Sequence, residues 1–277
     1  MTVSPAALLS GPAIRPVAMA ENWVHSLASD HGTPPKGAMS PDCARRENAL
    51  YQRLGDVALI GVEGMLVPES GWIGYSRITG YDDLRAQTEA ALADSAVAKI
   101  AYYVNSGGGY CEGLWEFSAW LSSVRGQKPT VALCQHAYSA AYAIACTCDD
   151  LVVAPMGGVG SIGTVLVHIE IAKALAEFGV AVNVIRAPDG KYRGNMLEAL
   201  DDATRAKFQA SVDELTEIFT AHVAAHRGIG QDSVLATDAG VFDLPSGTAR
   251  AVTLGLADEA LSIDDALQSL IDFQPAA

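Results

Sequence analysis

Residues 99–109 read KIAYYVNSGGG, and this stretch decides the fold. Its first half is an apolar run with the composition of a buried strand, and its second half is a polar pair followed by three glycines. Similar apolar runs predict further strands at residues 57–60, 130–134, 150–154, 181–185 and 241–243. Helical patterns lie at residues 82–94, 112–124, 168–178, 201–226 and 248–254, and another follows Ser139. Strands that alternate with helices predict an α/β protein with a mainly parallel sheet and flanking helices.

The longest predicted helix, at residues 201–226, carries a single apolar stripe. Its members recur at spacings of three and four residues, and they are Phe208, Val212, Leu215, Phe219 and Val223. This spacing places them on one face of the helix, so we expect the stripe to pack on the sheet.

Composition and charge restrict the class of function. The 277 residues are 50% hydrophobic, and 18 Lys and Arg oppose 32 Asp and Glu for a net charge of −14. A chain this acidic lacks the basic face that binds nucleic-acid phosphates, and an anionic membrane surface repels it. No apolar run approaches the ~20 residues of a membrane-spanning helix, and the N-terminus lacks the basic start of a signal peptide. We therefore expect a soluble protein that binds neither nucleic acid nor membranes.

The sequence divides into three predicted parts. Residues 1–55 are rich in Ala, Pro, Ser and Gly without periodicity, which is typical of a tail or linker. Residues 56–265 hold the alternating strands and helices of one large domain. Residues 266–277 are assigned to a C-terminal tail.

The cysteines indicate a reducing compartment. They are odd in number and lie mostly in apolar segments, at Cys43, Cys111, Cys134, Cys146 and Cys148. Cys146 and Cys148 lack the two-residue spacer of a redox or zinc pair. We therefore interpret the cysteines as buried structural thiols of a cytoplasmic protein.

Three loops rich in small residues follow predicted strands, at the carboxyl ends where parallel sheets bind ligands. In the first, Asn105-Ser106-Gly107-Gly108-Gly109, the glycines let backbone N–H groups approach a ligand closely. The loop lacks the Gly-Lys-Ser/Thr ending of a P-loop and the GxGxxG spacing of a dinucleotide site. By itself it is either an anion-binding loop or a tight turn.

The other two loops each hold a serine. Ser139 opens a small-residue helix after the predicted strand at 130–134. It is a candidate nucleophile, because N–H groups at such a turn can stabilise an oxyanion. The alternative is a serine whose hydroxyl caps the helix. Ser161, in the loop at 157–163, has a hydroxyl that could orient a neighbouring group.

A nucleophilic serine needs a base, and Lys191 is one candidate. It follows the predicted strand at 181–185, so it could reach the same edge of the sheet. In a dry pocket a lysine loses its charge and can act as a base. The alternative is a solvated loop lysine.

The histidines are weaker candidates for catalysis or metal binding. His136 lies close to Ser139 in sequence but is expected to point elsewhere, and His168 is typical of a core histidine. His222 and His226 share a helix face, but the glutamate of an HExxH motif is missing and no third ligand is evident. We therefore predict no metal site.

Together, these motifs resemble peptidase family S49, the signal peptide peptidase A-like serine proteases with a Ser/Lys dyad. The order is Asn-Ser-x-Gly-Gly, a serine that opens an Ala-rich helix, Gly-Ser-Ile-Gly, and a glycine-containing loop with a lysine. A narrower resemblance, to the head-maturation or capsid proteases of tailed phages, rests on Ile78-Thr79-Gly80-Tyr81, Gly194-Asn195 and Gly255-Leu256-Ala257-Asp258. The resemblance covers residues 57–262 and implies the ClpP/crotonase-like fold.

The resemblance also implies a role for each site residue. Ser139 takes the place of the nucleophile, Lys191 that of the general base, and Ser161 that of a group hydrogen-bonded to the lysine amine. The intervals between the three match the family without gaps. The N–H groups of Gly109 and Ala140 take the place of the oxyanion hole. The implied substrate-binding residues are Gly107, Gly108 and Gly160.

Two positions depart from the family pattern. The family usually has proline where Gly107 stands. Its lysine loop usually reads Gly-x-aromatic-Lys, which would put Arg193 in the lysine position, and an arginine stays protonated and is no base. The ungapped spacing and the register of Gly194 and Asn195 favour Lys191. With Arg193 in that position the chain would be inactive.

By resemblance, the protein is an endopeptidase that needs no cofactor, forms homo-oligomers and cleaves scaffold and capsid precursors in the host cytoplasm or the prohead. A polypeptide substrate would bind as an extended strand beside Gly107–Gly109. The N-terminal tail is a candidate for self-cleavage. Two alternatives stay open: an inactive assembly or scaffold module, and a crotonase-like acyl-CoA enzyme, which holds an oxyanion with paired N–H groups but does not need Ser139.

Overall fold

The computed structural model describes residues 50–70 and 78–273, and the backbone of residues 17–19. The strands in these residues are β1 (Val17–Met19), β2 (Gln52–Leu54), β3 (Val57–Val67), β4 (Ile78–Gly80), β5 (Lys99–Tyr110), β6 (Thr130–Tyr138), β7 (Asp150–Gly160), β8 (Val241–Asp243) and β9 (Glu259–Ala260). They form one sheet in the order β2-β3-β5-β6-β7-β8, in which β1 also pairs with β5, β4 with β3 and β9 with β7. The central strands β3, β5, β6 and β7 are parallel, which confirms the predicted α/β fold class.

The helices lie mainly between the strands in sequence. They are α1 (Tyr81–Ala93), α2 (Leu114–Val124), α3 (Ala140–Ala145), α4 (Ala172–Glu177), α5 (Asp202–Arg227), α6 (Gln231–Leu235), α7 (Leu244–Thr253) and α8 (Ile263–Asp272). The long helix α5 begins at Asp201, whose carboxylate accepts a hydrogen bond from the N–H of Thr204. It ends at Gly228, which takes the left-handed conformation that suits glycine.

The two faces of the sheet are buried by different helices. Side chains alternate between the faces along each strand. Tyr102 and Cys134 belong to the main core, to which helices α1, α2, α3 and α5 contribute. Ala101 and Leu133 point the other way and pack with Ala266 of α8. The sheet is therefore covered on both sides, as its apolar central strands require.

The predicted strand at residues 181–185 is absent, and this prediction was wrong. The segment is neither helix nor strand, and the side chain of Ile185 is 97% exposed. A strand needs a neighbour to bond its N–H and C=O groups, and none of the described strands pairs with this segment. The apolar pattern shows only that the segment has the composition of a strand. It does not show whether a neighbouring strand is there to pair with it.

The apolar stripe of α5 is divided between two environments. In the second half of the helix Phe219 and Val223 are fully buried, and the ring of Phe219 lies 5.5 Å from that of Trp115 in α2. In the first half Phe208 and Val212 are only half-buried. A helix of 26 residues is about 39 Å long, so it extends beyond the core. The stripe therefore meets helix α2 at one end and lies outside the main core at the other, rather than packing on the sheet throughout.

Both ends of the described chain are attached to the sheet. Ala266 of α8 is buried, and Nζ of Lys99 donates a hydrogen bond of 2.8 Å to the carbonyl oxygen of Leu270. The sequence-based boundary at residue 265 thus falls inside α8. Within the predicted N-terminal tail, β2 pairs with β3 and β1 pairs with β5. The remainder of residues 1–49 lies outside the described residues.

Candidate active site

The carboxyl ends of β6 and β7 place two serines side by side. Tyr138 of β6 is paired with Gly160 of β7. Ser139 and Ser161 each follow this pair by one residue, and neighbouring parallel strands lie about 4.8 Å apart. The described part of the chain shows no hydrogen bond between the two serine side chains, so they are neighbours through their backbones.

Ser139 occupies a strained turn between β6 and α3. Its backbone has φ 53° and ψ −120°, and residues other than glycine rarely adopt a positive φ. The N–H of Ser139 donates a hydrogen bond of 2.8 Å to the carbonyl oxygen of Gly160, which fixes the turn to β7. The residue is fully buried, and Oγ lies 3.5 Å from the carbonyl oxygen of Gly163. The hydroxyl does not cap α3, so the alternative of a simple N-cap serine is wrong.

Ser161 has a similar backbone and borders a cavity. Its φ is 54°, and its N–H donates a hydrogen bond of 2.9 Å to the carbonyl oxygen of Gly240. The cavity has a volume of about 300 Å³ and reaches Thr216 and Thr220 in the second half of α5. Ser161 is 9% exposed, so its hydroxyl lies at the edge of this space.

Ala140 supplies one of the two predicted oxyanion donors, its backbone N–H. Ala140 is the first residue of α3 and is fully buried. Its N–H has no hydrogen-bond partner among residues 50–70 and 78–273. Buried N–H groups are nearly always paired, so an unpaired one beside Ser139 is a candidate donor for a ligand oxygen.

The glycines of the first loop lie in the last part of β5. Gly107, Gly108 and Gly109 are buried. Gly108 has φ 104°, which favours glycine. A Cβ atom on Gly109 would lie 1.9 Å from the carbonyl oxygen of Leu66, so the close contact with β3 excludes any larger residue. Gly109 is therefore needed for the strand pairing itself.

The described residues show no hydrogen bond between Lys191 and Ser139. The Lys191 side chain is exposed, and it makes no hydrogen bond or ion pair with any described residue. Gly194, three residues on, lies against the ring of Phe208 in the first half of α5. The Ser161 cavity borders Thr216, which is about 12 Å further along the helix axis. In this conformation the predicted Ser/Lys pair is not assembled.

Arg193, the alternative to Lys191, is engaged within its own loop. Its guanidinium pairs with the carboxylate of Asp189. The buried side chain of Asn195 donates hydrogen bonds of 2.7 Å to the carbonyl oxygen of Tyr192 and to Oε2 of Glu198. Asn195 therefore holds the shape of this loop, and Arg193 lies on its surface.

His136 lies in a polar group with Asn105, Tyr138 and Asp243, which the sequence pattern does not predict. Its Nδ1 lies 3.1 Å from Oδ1 of Asn105. Burial lowers the pKa of His136, and nearby Asp243 opposes this in part. Burial, together with Asp243, raises the pKa of Tyr138 to about 12. The two-residue spacing of His136 and Tyr138 puts them on one strand face, but no local pattern links them to Asp243 in β8.

The other three histidines in the described residues have structural contacts. Nε2 of His222 lies 2.9 Å from the carbonyl oxygen of Ala143, and burial lowers the pKa of His222 to about 4. Nε2 of His226 lies 2.8 Å from Oγ of Ser122. His168 is half-buried and lies beside Phe208, not in the main core as expected. The described residues contain no group of three or more His, Cys, Asp or Glu that could hold a metal ion.

Four of the five cysteines lie in the described residues, and all four are buried free thiols: Cys111, Cys134, Cys146 and Cys148. Burial raises the pKa of Cys111 to about 11 and that of Cys146 to about 12. These thiols are therefore protonated at neutral pH, which suits a packing role. Cys43 lies outside the described residues.

No helix in the described part of the chain is both long and apolar enough to cross a bilayer.

The sequence is similar to known proteins along most of its length. The pattern of Peptidase family S49 matches residues 123–274, more than half of the chain. The "Head-tail preconnector protein GP5" of Enterobacteria phage P21 is 34% identical over 225 residues, which cover 80% of this chain and 44% of that protein. The "Capsid assembly protease C" of Escherichia phage lambda is 29% identical over 249 residues, covering 89% of this chain and 56% of the relative.

A bacterial protein gives a third match. The "Probable protease SohB" of Haemophilus influenzae is 28% identical over 194 residues, which cover 66% of this chain and 54% of that protein. The chain thus spans about half the length of the curated relatives it matches. The extent of the family match and the identity to the phage P21 protein place the chain in peptidase family S49.

Proposed function

We propose that this chain is a serine endopeptidase of phage capsid assembly, with Ser139 as its nucleophile. The observation that carries the proposal is the backbone turn at Ser139, which holds a buried hydroxyl that does not cap α3. Next to it is the N–H of Ala140, which has no partner in the described part of the chain. Backbone strain of this kind costs on the order of 1–3 kcal/mol and clusters at functional sites. Membership of family S49 and two relatives named as proteases support peptide hydrolysis.

Oxyanion stabilisation is the second part of the proposal. Attack of Ser139 Oγ on a peptide carbonyl carbon puts negative charge on the carbonyl oxygen. The N–H of Ala140 is rigidly held and free to donate to that oxygen, and the N–H of Gly109 is the proposed second donor. Each such donor is worth about 10²–10³ in kcat.

Lys191 is the proposed base, and its use requires the loop that carries it to move. The chain between Glu177 and Asp202 has neither helix nor strand. Closure of this loop over the Ser161 cavity would take the Lys191 amine out of water, and desolvation favours the neutral amine that can accept the Ser139 proton. The Ser161 hydroxyl would then hydrogen-bond the amine.

Self-association is the proposed cause of this closure. The region before α5 exposes many apolar side chains, and these are Val165, Val167, Ile169, Phe178, Val180, Val182, Ile185 and Tyr192. So many exposed apolar side chains in one stretch of the chain favour an interface, because a monomer rarely exposes large apolar surfaces. A second copy that covers it would order the loop. The names of the phage relatives favour scaffold and capsid precursors as substrates, in the host cytoplasm or the prohead.

Intact-mass spectrometry of an unfolded protein substrate tests the proposal. Wild type and Arg193→Ala should cleave the substrate, and so should Lys173→Ala, a matched change of an exposed lysine. Ser139→Ala should lower the rate by at least about 10⁴-fold because it removes the nucleophile. Lys191→Ala should lower it by about 10²–10⁴-fold because it removes the base.

The opposite outcomes distinguish the alternatives. Wild-type cleavage by Lys191→Ala would refute the assigned base. Hydrolysis of an acyl-CoA that survives in Ser139→Ala would indicate a crotonase-like enzyme. A folded wild type that cleaves neither an unfolded protein nor capsid precursors would be an inactive assembly module.

A further inference from the structure

One edge of β5 becomes free beside Ser139. On one side, β3 pairs with β5 as far as Leu66 with Gly109. On the other side, β6 pairs with β5 only as far as Ala137 with Ser106. The chain then turns at Ser139 into α3, so the last residues of β5 are left without β6.

Strand β1, from the N-terminal part of the chain, lies on β5 at these residues. It is antiparallel to β5, with Val17 opposite Tyr110, Ala18 opposite Gly109 and Met19 opposite Gly108. Because β3 already takes the other edge at Gly108 and Gly109, β1 occupies the edge that β6 has left. A segment far away in sequence therefore fills the place next to the proposed nucleophile.

The C-terminal end of β1, at Met19, is the end closer to the level of Ser139. Gly108 lies two residues beyond Ser106, and Ser139 lies two residues beyond Ala137, the partner of Ser106. Parallel strands advance together, so Gly108 and Ser139 are at about the same level. Met19, opposite Gly108, is thus the β1 residue that comes nearest to this level.

We propose that Val17–Met19 is a substrate segment supplied by the chain itself, and that Ser139 cuts within one residue of the bond between Met19 and Ala20. The inference rests on the proposed peptidase function and adds the bound segment and the position of the cut. Residues 16–20 read PVAMA and carry no charge. An extended segment that adds a strand to an open sheet edge binds as peptide ligands commonly do. The residue before the segment in sequence, Pro16, has no N–H to donate.

The reaction balances with water as the only other reactant. Oγ of Ser139 bonds to the carbonyl carbon of Met19, and the C–N bond to Ala20 breaks. The hydroxyl proton passes through the base to the released amine of Ala20. Water then hydrolyses the ester, which leaves a carboxylic acid on Met19 and restores the Ser139 hydroxyl.

Until it is cut, the segment competes with other peptides for the same edge. A tethered segment has an effective concentration on the order of mM, so it outcompetes free substrates that are more dilute. Its removal opens the edge of β5. Self-cleavage would therefore precede efficient cleavage of other proteins.

Hydrogen exchange of the full chain tests the occupancy without requiring activity. In Ser139→Ala, the amides of residues 17–19 and 108–110 should exchange slowly. The further change Ala18→Pro removes a donor and disfavours the pairing, so both segments should then exchange at least about tenfold faster. Ala28→Pro, elsewhere in the N-terminal part, is the matched control and should leave both segments protected. Equal exchange with and without Ala18→Pro would overturn the proposal.

Intact mass and N-terminal sequencing test the cut. Wild type should acquire a new N-terminus at residue 19, 20 or 21, and Ser139→Ala should stay whole. Ala18→Pro should slow this self-cleavage at least about tenfold, while cleavage of an unfolded protein stays equal or becomes faster. A wild type that cleaves the unfolded protein but keeps its own N-terminus overturns this inference and leaves the proposed function intact. A protected β1 in a chain that cleaves nothing overturns the proposed function and, with it, the cut.

Discussion

The two halves of the proposed dyad lie in regions of opposite character. Ser139 is fully buried, its turn is bonded to β7, and every residue of the following helix α3 is fully buried. Lys191 lies in a loop without helix or strand, in which Ile185 is 97% and Tyr192 58% exposed. The proposed nucleophile is therefore held in place by the core, whereas the proposed base is not.

The contrast indicates where control of activity can lie. The buried turn between β6 and α3 is hydrogen-bonded to β7, so it cannot move without disturbing the sheet, and Ser139 is held in one position. An exposed loop costs little to rearrange, because few packed contacts hold it. Assembly of the proposed dyad would thus require the loop at 178–201 to change position.

The long helix α5 has one phenylalanine in the main core, Phe219, and one beside the Lys191 loop, Phe208. Replacing each by alanine compares how tightly the two regions are packed. Phe219→Ala should lower the free energy of unfolding by about 3–5 kcal/mol, because it leaves a cavity among fully buried side chains. Phe208→Ala should cost only about 1 kcal/mol, because that ring is half-buried against the loop. Urea unfolding of the two variants gives both values. Equal costs would show that the loop region is as tightly packed as the core.

The pKa of His222 measures how well water is excluded from the core beside α3, the helix that follows Ser139. Burial lowers its pKa from 6.5 to about 4, so the folded protein holds it neutral while the unfolded chain takes up a proton below pH 6.5. The free energy of unfolding should therefore fall by about 2 kcal/mol between pH 7 and pH 4.5 through this residue. His222→Gln should lose that part of the pH dependence. Parallel pH profiles for wild type and His222→Gln would contradict the burial.

Ile185 tests the opposite side of the comparison. Ile185→Asp should change the free energy of unfolding by no more than about 0.5 kcal/mol, because the side chain is almost fully exposed. The same change should reduce self-association, measured by sedimentation, and with it peptide cleavage. A loss of stability above about 1 kcal/mol would mean that the loop is packed in the free chain.

The central sheet and most helices follow from local pattern. The apolar runs that begin at residues 57, 99, 130 and 150 all became strands, and each continued to the loop that the glycines and serines mark. Helix α5 was expected at 201–226 and spans Asp202–Arg227, because its apolar spacing and its end at Gly228 are both local signals. The strand prediction failed where a partner was needed, as at 181–185, where none of the described strands pairs with the apolar run.

The site shows the same division. The position of Ser139 at a strand-to-helix turn could be predicted, because β6 and α3 are adjacent in sequence. Three other features could not be predicted, since each depends on groups far apart in the chain: the positive φ of Ser139, the pairing of β1 with β5, and the N–H of Ala140 that lacks a partner among the described residues. The exposure of Lys191 could not be predicted from the sequence either, because the burial of a residue depends on which other residues pack against it.

The sequence by itself determined the alternation of strands and helices, the residues at the ends of the strands, and the family to which their order belongs. Only the tertiary structure decided which of these residues meet. Strand periodicity and turn composition are properties of a few consecutive residues. Packing joins segments up to about a hundred residues apart, and no local pattern encodes it. It brings Ser139 close to Ser161, leaves Lys191 apart from both, and places Val17–Met19 on β5.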